Sequence, residues 1–266
     1  MTMDYSTYTQ LDVAVDDRIA TVTINRPDQL NVADAVMHTE LSTIFTDLQR
    51  DRQVDVVVLT GAGRAFSAGG DVAWMQDAVD DPESFDQTRD EAKRIIFSLL
   101  DLEKPIIAKV NGHAVGLGAT LALFCDVIFA SEKAKIGDPH VSIGFVAGDG
   151  GAIIWPQLIG YARAKEYLFT GDLISASDAA DIGLINHAVP AEGLDARVDE
   201  FAERLRHGAT KAIRFTKIAT NIALKQAAHA AMDVSIAYET ITNSSADHAE
   251  AVAAFREKRT PTFQGR

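Results

Sequence analysis

Cysteine is almost missing from this chain: Cys125 is the only one in 266 residues. A single thiol rules out an intrachain disulfide, so the fold has to rest on its core, and a reducing compartment, the cytoplasm, is the expected location. Long apolar runs are also missing. None reaches the ~20 residues that a membrane-spanning helix needs, and residues 1–10 lack the basic and apolar regions of a secretion signal. Positive charge is scarce, with 25 Lys and Arg against 38 Asp and Glu and a formal net charge of −13. A surface of that sign repels phosphate backbones, which argues against nucleic-acid binding. It still allows a local basic patch, such as the Lys and Arg residues near the C-terminus, to hold a phosphate-bearing ligand. No His, Cys and carboxylate residues recur at the spacing of metal ligands, so no metal site is expected.

Apolar residues, by contrast, make up 47% of the chain, enough for a substantial core. Their periodicity switches repeatedly between two and about 3.6, as in an α/β fold. Residues 11–15 and 19–25 alternate around Asp16-Asp17-Arg18 and read as a β-hairpin. Helical spacing follows over 31–49. A β-branched run over 54–60 reads as a buried strand opening into Gly61-Ala62-Gly63. A helix over 91–102, a strand over 105–110, a buried helix over 117–125 and a strand over 126–130 repeat the theme. Beyond about Ile159 the segments 162–170, 175–181, 194–206 and 210–246 all read as helices, with Ser175 capping one start and Gly183 ending that helix. The expected organisation is an α/β core over 1–190 and a helical region over 191–266 that mediates assembly, where Ile213, Ile218, Ile222 and Leu224 offer an apolar face.

Two Gly-rich turns stand out. Ala65-Phe66-Ser67-Ala68-Gly69-Gly70-Asp71-Val72 has small residues that let a ligand approach the main chain. Asn111-Gly112-His113-Ala114-Val115-Gly116-Leu117-Gly118-Ala119 joins a strand to a buried helix, whose first amides lack internal partners and can stabilise a developing oxyanion. Each turn alone is a common strand-to-helix connection. In order, and together with Thr23-Ile24-Asn25-Arg26-Pro27, Leu30-Asn31, Leu59-Thr60-Gly61, Cys125-Asp126, Leu168-Phe169-Thr170-Gly171, Gly183-Leu184 and residues 255–263, they resemble the crotonase, or enoyl-CoA hydratase/isomerase, family almost end to end. That resemblance implies a spiral of ββα units and an enzyme that forms an enolate of an acyl-CoA thioester. It implies no cofactor beyond the coenzyme A of the substrate, and trimers or dimers of trimers. It further implies an oxyanion hole formed by the amides of Gly70 and Leu117. Ala68, Asp71, Val72, Gly116 and Gly148 would line the substrate, and Phe255 and Arg259 would reach toward an adenine or phosphate.

The sequence departs from the family where hydratases carry two glutamates. Thr120 and His140 occupy those positions, and threonine is no general base near neutral pH. Histidine is a natural proton carrier, and Asp149, nine positions on in Ala147-Gly148-Asp149-Gly150-Gly151, can orient and stabilise its imidazolium. A His and an Asp at this separation are similar to those of the 6-oxocamphor hydrolase type, which cleaves a carbon–carbon bond of a β-diketone with water. The aspartate also resembles the 4-chlorobenzoyl-CoA dehalogenase nucleophile. Plainer roles remain open: Asp149 as a helix cap and His140 as a loop histidine. His113 reads as structural, Ser67 as a small turn residue, and His38, His187, His207, His229 and His248 as surface residues. Three functions follow: acyl-CoA enolate chemistry by His140 and Asp149, hydrolysis of a small diketone, or a scaffold that binds acyl-CoA without turnover.

Overall fold

The computed structural model describes residues 3–266. The hairpin expected near the N-terminus forms from β1 (Leu11–Asp16) and β2 (Ile19–Ile24). Asp17 and Arg18 turn it with positive φ at both positions, the two-residue geometry that matches strand twist. Helix α1 (Ala35–Arg50) starts at Asp34, whose carboxylate accepts from the Met37 amide. Strand β3 (Val56–Gly61) is buried along its whole length, which accounts for its unbroken apolar run. Short β4 (Ala65–Ser67), α2 (Val72–Asp80) and α3 (Phe85–Asp101) complete the first repeat. Next come β5 (Ile106–Val110), β6 (His113–Val115) and α4 (Leu117–Leu123), then β7 (Val127–Ser131) and β8 (Lys135–Gly137). A 3₁₀ turn over His140–Ile143 leads to α5 (Gly151–Thr170). The chain ends with β9 (Ile174–Ser175), α6 (Ala176–Asp181), β10 (His187–Val189), α7 (Leu194–Arg206), α8 (Thr210–Asn243) and α9 (Ala246–Glu257).

Each repeat sends one strand to each of two sheets. The larger sheet runs β1-β2-β3-β5-β7-β10, and the smaller runs β4-β6-β8-β9. Apart from the hairpin and the β8–β9 pair, all pairings are parallel. This is the expected α/β spiral with a helical C-terminal region.

Two asparagines hold the turns between the sheets. Asn31 donates to the carbonyls of Ala62 and Ala65, both at 2.8 Å, and accepts from the Arg26 amide. Asn111 donates to Gly63 and accepts from the Gly61 amide. Both are therefore satisfied buried or half-buried groups that fix loop geometry.

Several boundaries differ from the sequence reading. The expected helix over 210–246 ends at Asn243, and α9, which was not expected, follows Ser245, whose side chain caps it by accepting from the His248 amide. Helix α2 was not expected; it begins where Asp71 caps the Ala73 amide. The expected 162–170 helix is the second half of α5, which breaks at Gly160 (φ 76°, ψ 159°) four residues after Pro156. Among the described residues no helix is long and apolar enough to cross a membrane.

Candidate active site

The two Gly-rich turns meet. The first is strapped to residues 30–33, with Ala68 donating to Leu30, Ala33 to Gly69 and Asp71 to Ala33. That alternation leaves the Gly70 amide without an acceptor among the described residues. The second turn is held by the Gly116 amide donating to Gly137, at positive φ. Leu117 follows as the first residue of α4, so its amide too lacks an intrahelical partner. The turns touch closely: a side chain on Gly118 would lie 2.6 Å from the Ser67 carbonyl oxygen. Ser67 itself accepts from the Gly69 amide, the turn role expected of it.

Both turns border a cavity of about 650 Å³. Gly70, Leu117, His140 and Asp149 all line it, as do Ala68, Asp71, Val72, Gly116 and Phe255. Gly148 sits one layer back, packed on α8. Arg259 does not line the cavity. Its guanidinium makes two hydrogen bonds with Glu250, at 2.5 and 2.8 Å, and a third with Glu257. Those contacts hold the Glu250 carboxyl down at about 2, so this arginine is committed to two carboxylates of its own chain.

His140 projects from the 3₁₀ turn with a side chain only 11% exposed. Its Nδ1 bonds Asp138, and its Nε2 lies 3.8 Å from Asp149 Oδ2. Burial alone would disfavour the imidazolium, but the Asp138 and Asp149 carboxylates outweigh it and push the ring up to about 10. Asp149 is raised by its burial, against the attraction of His140, and accepts from Thr120 Oγ1 at 3.4 Å. The residue that flanks α5 is Gly150, with no side-chain cap, yet the amide of Gly151, the first residue of that helix, bonds the Asp149 carboxylate, as a cap would accept. Ligand atoms of Asp138, His140 and Asp149 all fall within 4.8 Å of one another, close enough to share a cation. A proton on the imidazole supplies one positive charge at that point.

Two members of this cluster were not singled out in the sequence. Asp138 is one; its second oxygen is buried without a partner. The other is Glu239 on α8, which lines the cavity with one carboxyl oxygen buried and unpaired. Burial first, then the neighbouring Asp149, hold its carboxyl well above the usual range and favour its neutral form. The signal existed: Met232, Ile236, Glu239 and Asn243 recur at helical spacing and are all buried, so a glutamate stands on an apolar stripe.

The surface reading of two histidines is overturned. His38 is 3% exposed, bonds Glu91 and lines the cavity. His248 is fully buried, bonds the Ile143 carbonyl and stacks on Phe145 at 3.8 Å. Both sit where a helix packs inward, and neither had a sequence neighbour to reveal that. His113 accepts from the Lys135 amide, a structural role as expected. His187, His207 and His229 are exposed.

Comparison with known proteins agrees with this architecture. The family model for enoyl-CoA hydratase/isomerase matches residues 15–266. A crotonyl-CoA hydratase of Syntrophomonas wolfei is 33% identical over 258 residues, covering 96% of this chain and 98% of the relative. An enoyl-CoA hydratase/isomerase of Mycobacterium paratuberculosis superposes with a TM-score of 0.90 at 35% identity, over 94% of this chain and 99% of that one. A β-diketone hydrolase of the cyanobacterium Anabaena, bound to (S)-3-oxocyclohexyl acetic acid, superposes with a TM-score of 0.84 at 33% identity, over 90% and 96% of the two chains. Fold and cavity thus define an enzyme of the crotonase type. The chain belongs to the enoyl-CoA hydratase/isomerase family.

Proposed function

We propose that this protein forms an enolate in its cavity and uses water to break a carbon–carbon bond of a β-dicarbonyl substrate. The observation that carries the reading is one imidazole among three carboxyl groups, from Asp138, Asp149 and Glu239; the imidazole, Asp149 and Glu239 line a cavity that also carries two unpaired amides. A hydratase with two glutamates has no need of such a cluster, and here Thr120 cannot carry a proton. The likeness to the Anabaena β-diketone hydrolase supports the same reading.

The proton balance closes within the cluster. Water adds to one carbonyl carbon, and its proton passes to Asp149, whose burial makes it more basic than an ordinary aspartate. The bond to the central carbon then breaks. One fragment leaves as a carboxylic acid, and the electron pair goes to an enolate whose oxygen accepts from Gly70 and Leu117. One such donor is typically worth ~3 kcal/mol of transition-state stabilisation. His140, which rests as the imidazolium, gives its Nε2 proton to the central carbon. Asp149 then returns its proton to the ring. A cyclic β-diketone yields a keto acid in this way, the class of compound that the Anabaena enzyme holds.

A second reading keeps an acyl-CoA thioester as substrate, with coenzyme A entering only as part of it and no separate cofactor. The retained amides of Gly70 and Leu117, with Ala68, Asp71, Val72 and Phe255 on the cavity, favour it, as do the hydratase names of the relatives. The paired state of Arg259 weighs against it. Assay against crotonyl-CoA and against cyclic β-diketones separates the two: keto acid from the diketone alone supports the hydrolase, hydration of crotonyl-CoA alone the second. In either case His140→Ala should lower kcat by ~10²–10⁴-fold while ligand binding persists. Full activity in that variant would remove His140 from the chemistry. We further propose a cytoplasmic homotrimer or homohexamer.

A further inference from the structure

The turn that carries His140 rests on another histidine, one that does not line the cavity. His248 lies in the first turn of α9 and is fully buried. Its backbone is fixed, because Ser245 Oγ accepts from the His248 amide at 3.1 Å. Its ring meets the His140 turn at two points. Nδ1 lies 2.7 Å from the Ile143 carbonyl oxygen, which can only accept, so Nδ1 carries the ring proton. The ring face lies on Phe145, with centroids 3.8 Å and planes 17° apart. Phe145 in turn lies beside the His140 ring, again at 17°, with centroids 6.4 Å apart. The Phe145 amide also donates to the His140 carbonyl at 2.9 Å. His248 is therefore linked to His140 through one ring and through one closed loop of backbone. Burial, with the charge of His140 adding to it, keeps the His248 imidazole below the usual histidine range, so it is neutral at pH 7. The groups that face the His140 ring are Asp138 from its own segment, Asp149 from the loop before α5, Glu239 from α8 and His248 from α9.

Nε2 of His248 is buried without a partner, and an open polar atom costs stability that an apolar ring would not. A phenylalanine would stack on Phe145 equally well. What the imidazole adds is its Nδ1–H, and that bond goes to the His140 turn. We propose that His248 is a positioning residue for His140: by holding the Ile143 carbonyl and the Phe145 ring, it keeps the His140 imidazole between Asp138 and Asp149. This deepens the reaction proposed above and rests on it for His140 as the proton donor. The placing of the ring is a property of the protein without substrate. Nε2 of His140 lies 3.8 Å from Asp149 Oδ2, just beyond hydrogen-bond reach. A small shift of the turn therefore decides whether Asp149 can return its proton to the ring, and a misplacement of ~1 Å can cost on the order of 10²-fold in rate.

The test compares His248→Phe, which keeps a stacked ring and loses the donor, with His248→Asn, whose amide can still donate to Ile143. Each is assayed with whichever of the two substrates the wild-type protein turns over, crotonyl-CoA or the bicyclic β-diketone that opens to (3-oxocyclohexyl)acetate. His248→Phe should lower kcat by ~10–10²-fold and leave KM within about threefold. The alkaline limb of its pH–rate profile should fall from about 10 toward the ~6.5 of a free histidine. His248→Asn should recover most of kcat and return the limb toward the wild-type position. Wild-type kcat and an unmoved limb in His248→Phe overturn the assignment. So do equal losses in the two variants that follow the melting temperature with the limb unmoved, since that is a plain loss of stability. Proton and nitrogen-15 NMR of the substrate-free protein decide the matter separately. The His140 Nδ1 proton, strongly downfield while it bonds Asp138, should persist in wild type and His248→Asn and move upfield in His248→Phe. If His248→Phe does not fold, the wild-type spectrum still tests the bond: His248 should carry its proton on Nδ1 at pH 7, and a proton on Nε2 instead overturns the proposal. If neither substrate is turned over, the reaction falls and these resonances still decide the positioning.

Discussion

A histidine beside two carboxylates behaves differently from a free one, and His140 shows how far. Pushed up to about 10, it holds its proton through the neutral range, so it begins the cycle as an acid. If that proton is delivered to carbon, kcat stays level through neutral pH and falls as pH rises toward about 10, where the ring loses it. On the acid side, Asp149 must be ionised to accept from water. Because burial raises it, that limb should sit above the usual carboxylate range. A pH–rate profile measured from pH 4 to 11 checks both limbs; a rise in kcat between pH 6 and 8 would make His140 a base instead. Glu239 gives a separate expectation. It is buried with its neutral form favoured, so Glu239→Gln keeps its shape and should leave the melting temperature within a few degrees. Turnover should still fall by about tenfold or more if the group exchanges protons in the cycle. The sequence displayed His140 and Asp149 through their spacing in a loop. It displayed Glu239 only through its place on an apolar helical stripe, a signal that needs the inward face of α8 to be known first. Pairings such as His38 with Glu91, 53 positions apart, have no local signature, because they depend on how α1 and α3 pack.

At the scale of elements, the repeating strand–turn–helix pattern was legible because β3 and, apart from the half-buried Lys109, β5 are buried on both faces and so read as largely apolar runs. Helix α2 was not legible: only Ala78 of its nine residues is buried, so no apolar stripe marks it. Helix α9 was likewise not read, and the helix expected over 210–246 ran three residues past the end of α8 at Asn243. Ser245 is what makes α9 a separate helix, and its hydroxyl accepts from the His248 amide at 3.1 Å. Ser245→Ala should cost about 1 kcal/mol, read from the midpoint of urea unfolding. The N-terminal turn of α9 also presses on the turn that carries His140. A side chain on Gly144 would come within 2.8 Å of the His248 amide nitrogen, and the His248 ring lies against Phe145.

Over the whole molecule, the helical region expected to serve assembly also reaches the site. Glu239, Asn243, Ala251, Val252 and Phe255 all line the cavity, so the site is closed by residues more than a hundred positions beyond the first Gly-rich turn. Of the apolar face expected on α8, Leu224 packs on the core while Ile222 remains 55% exposed. Phe215, Val234, Tyr238 and Ile241 are exposed along the same helix. Apolar side chains in that number along one helix are suited to a subunit interface. Light scattering should therefore give the mass of a trimer or hexamer, and Ile222→Asp should shift it toward the monomer; a monomeric wild-type protein would remove that role.

Helix α8 runs for 34 residues, about 50 Å at the usual rise, and Glu239 lies near its far end. Each residue of a helix turns its successors by about 100°. Losing or gaining one residue anywhere between Thr210 and Glu239 would rotate the carboxyl away from His140 while leaving every other residue of the helix chemically unchanged. Descendants of this chain can drift in the exposed letters of that segment, but not in its length.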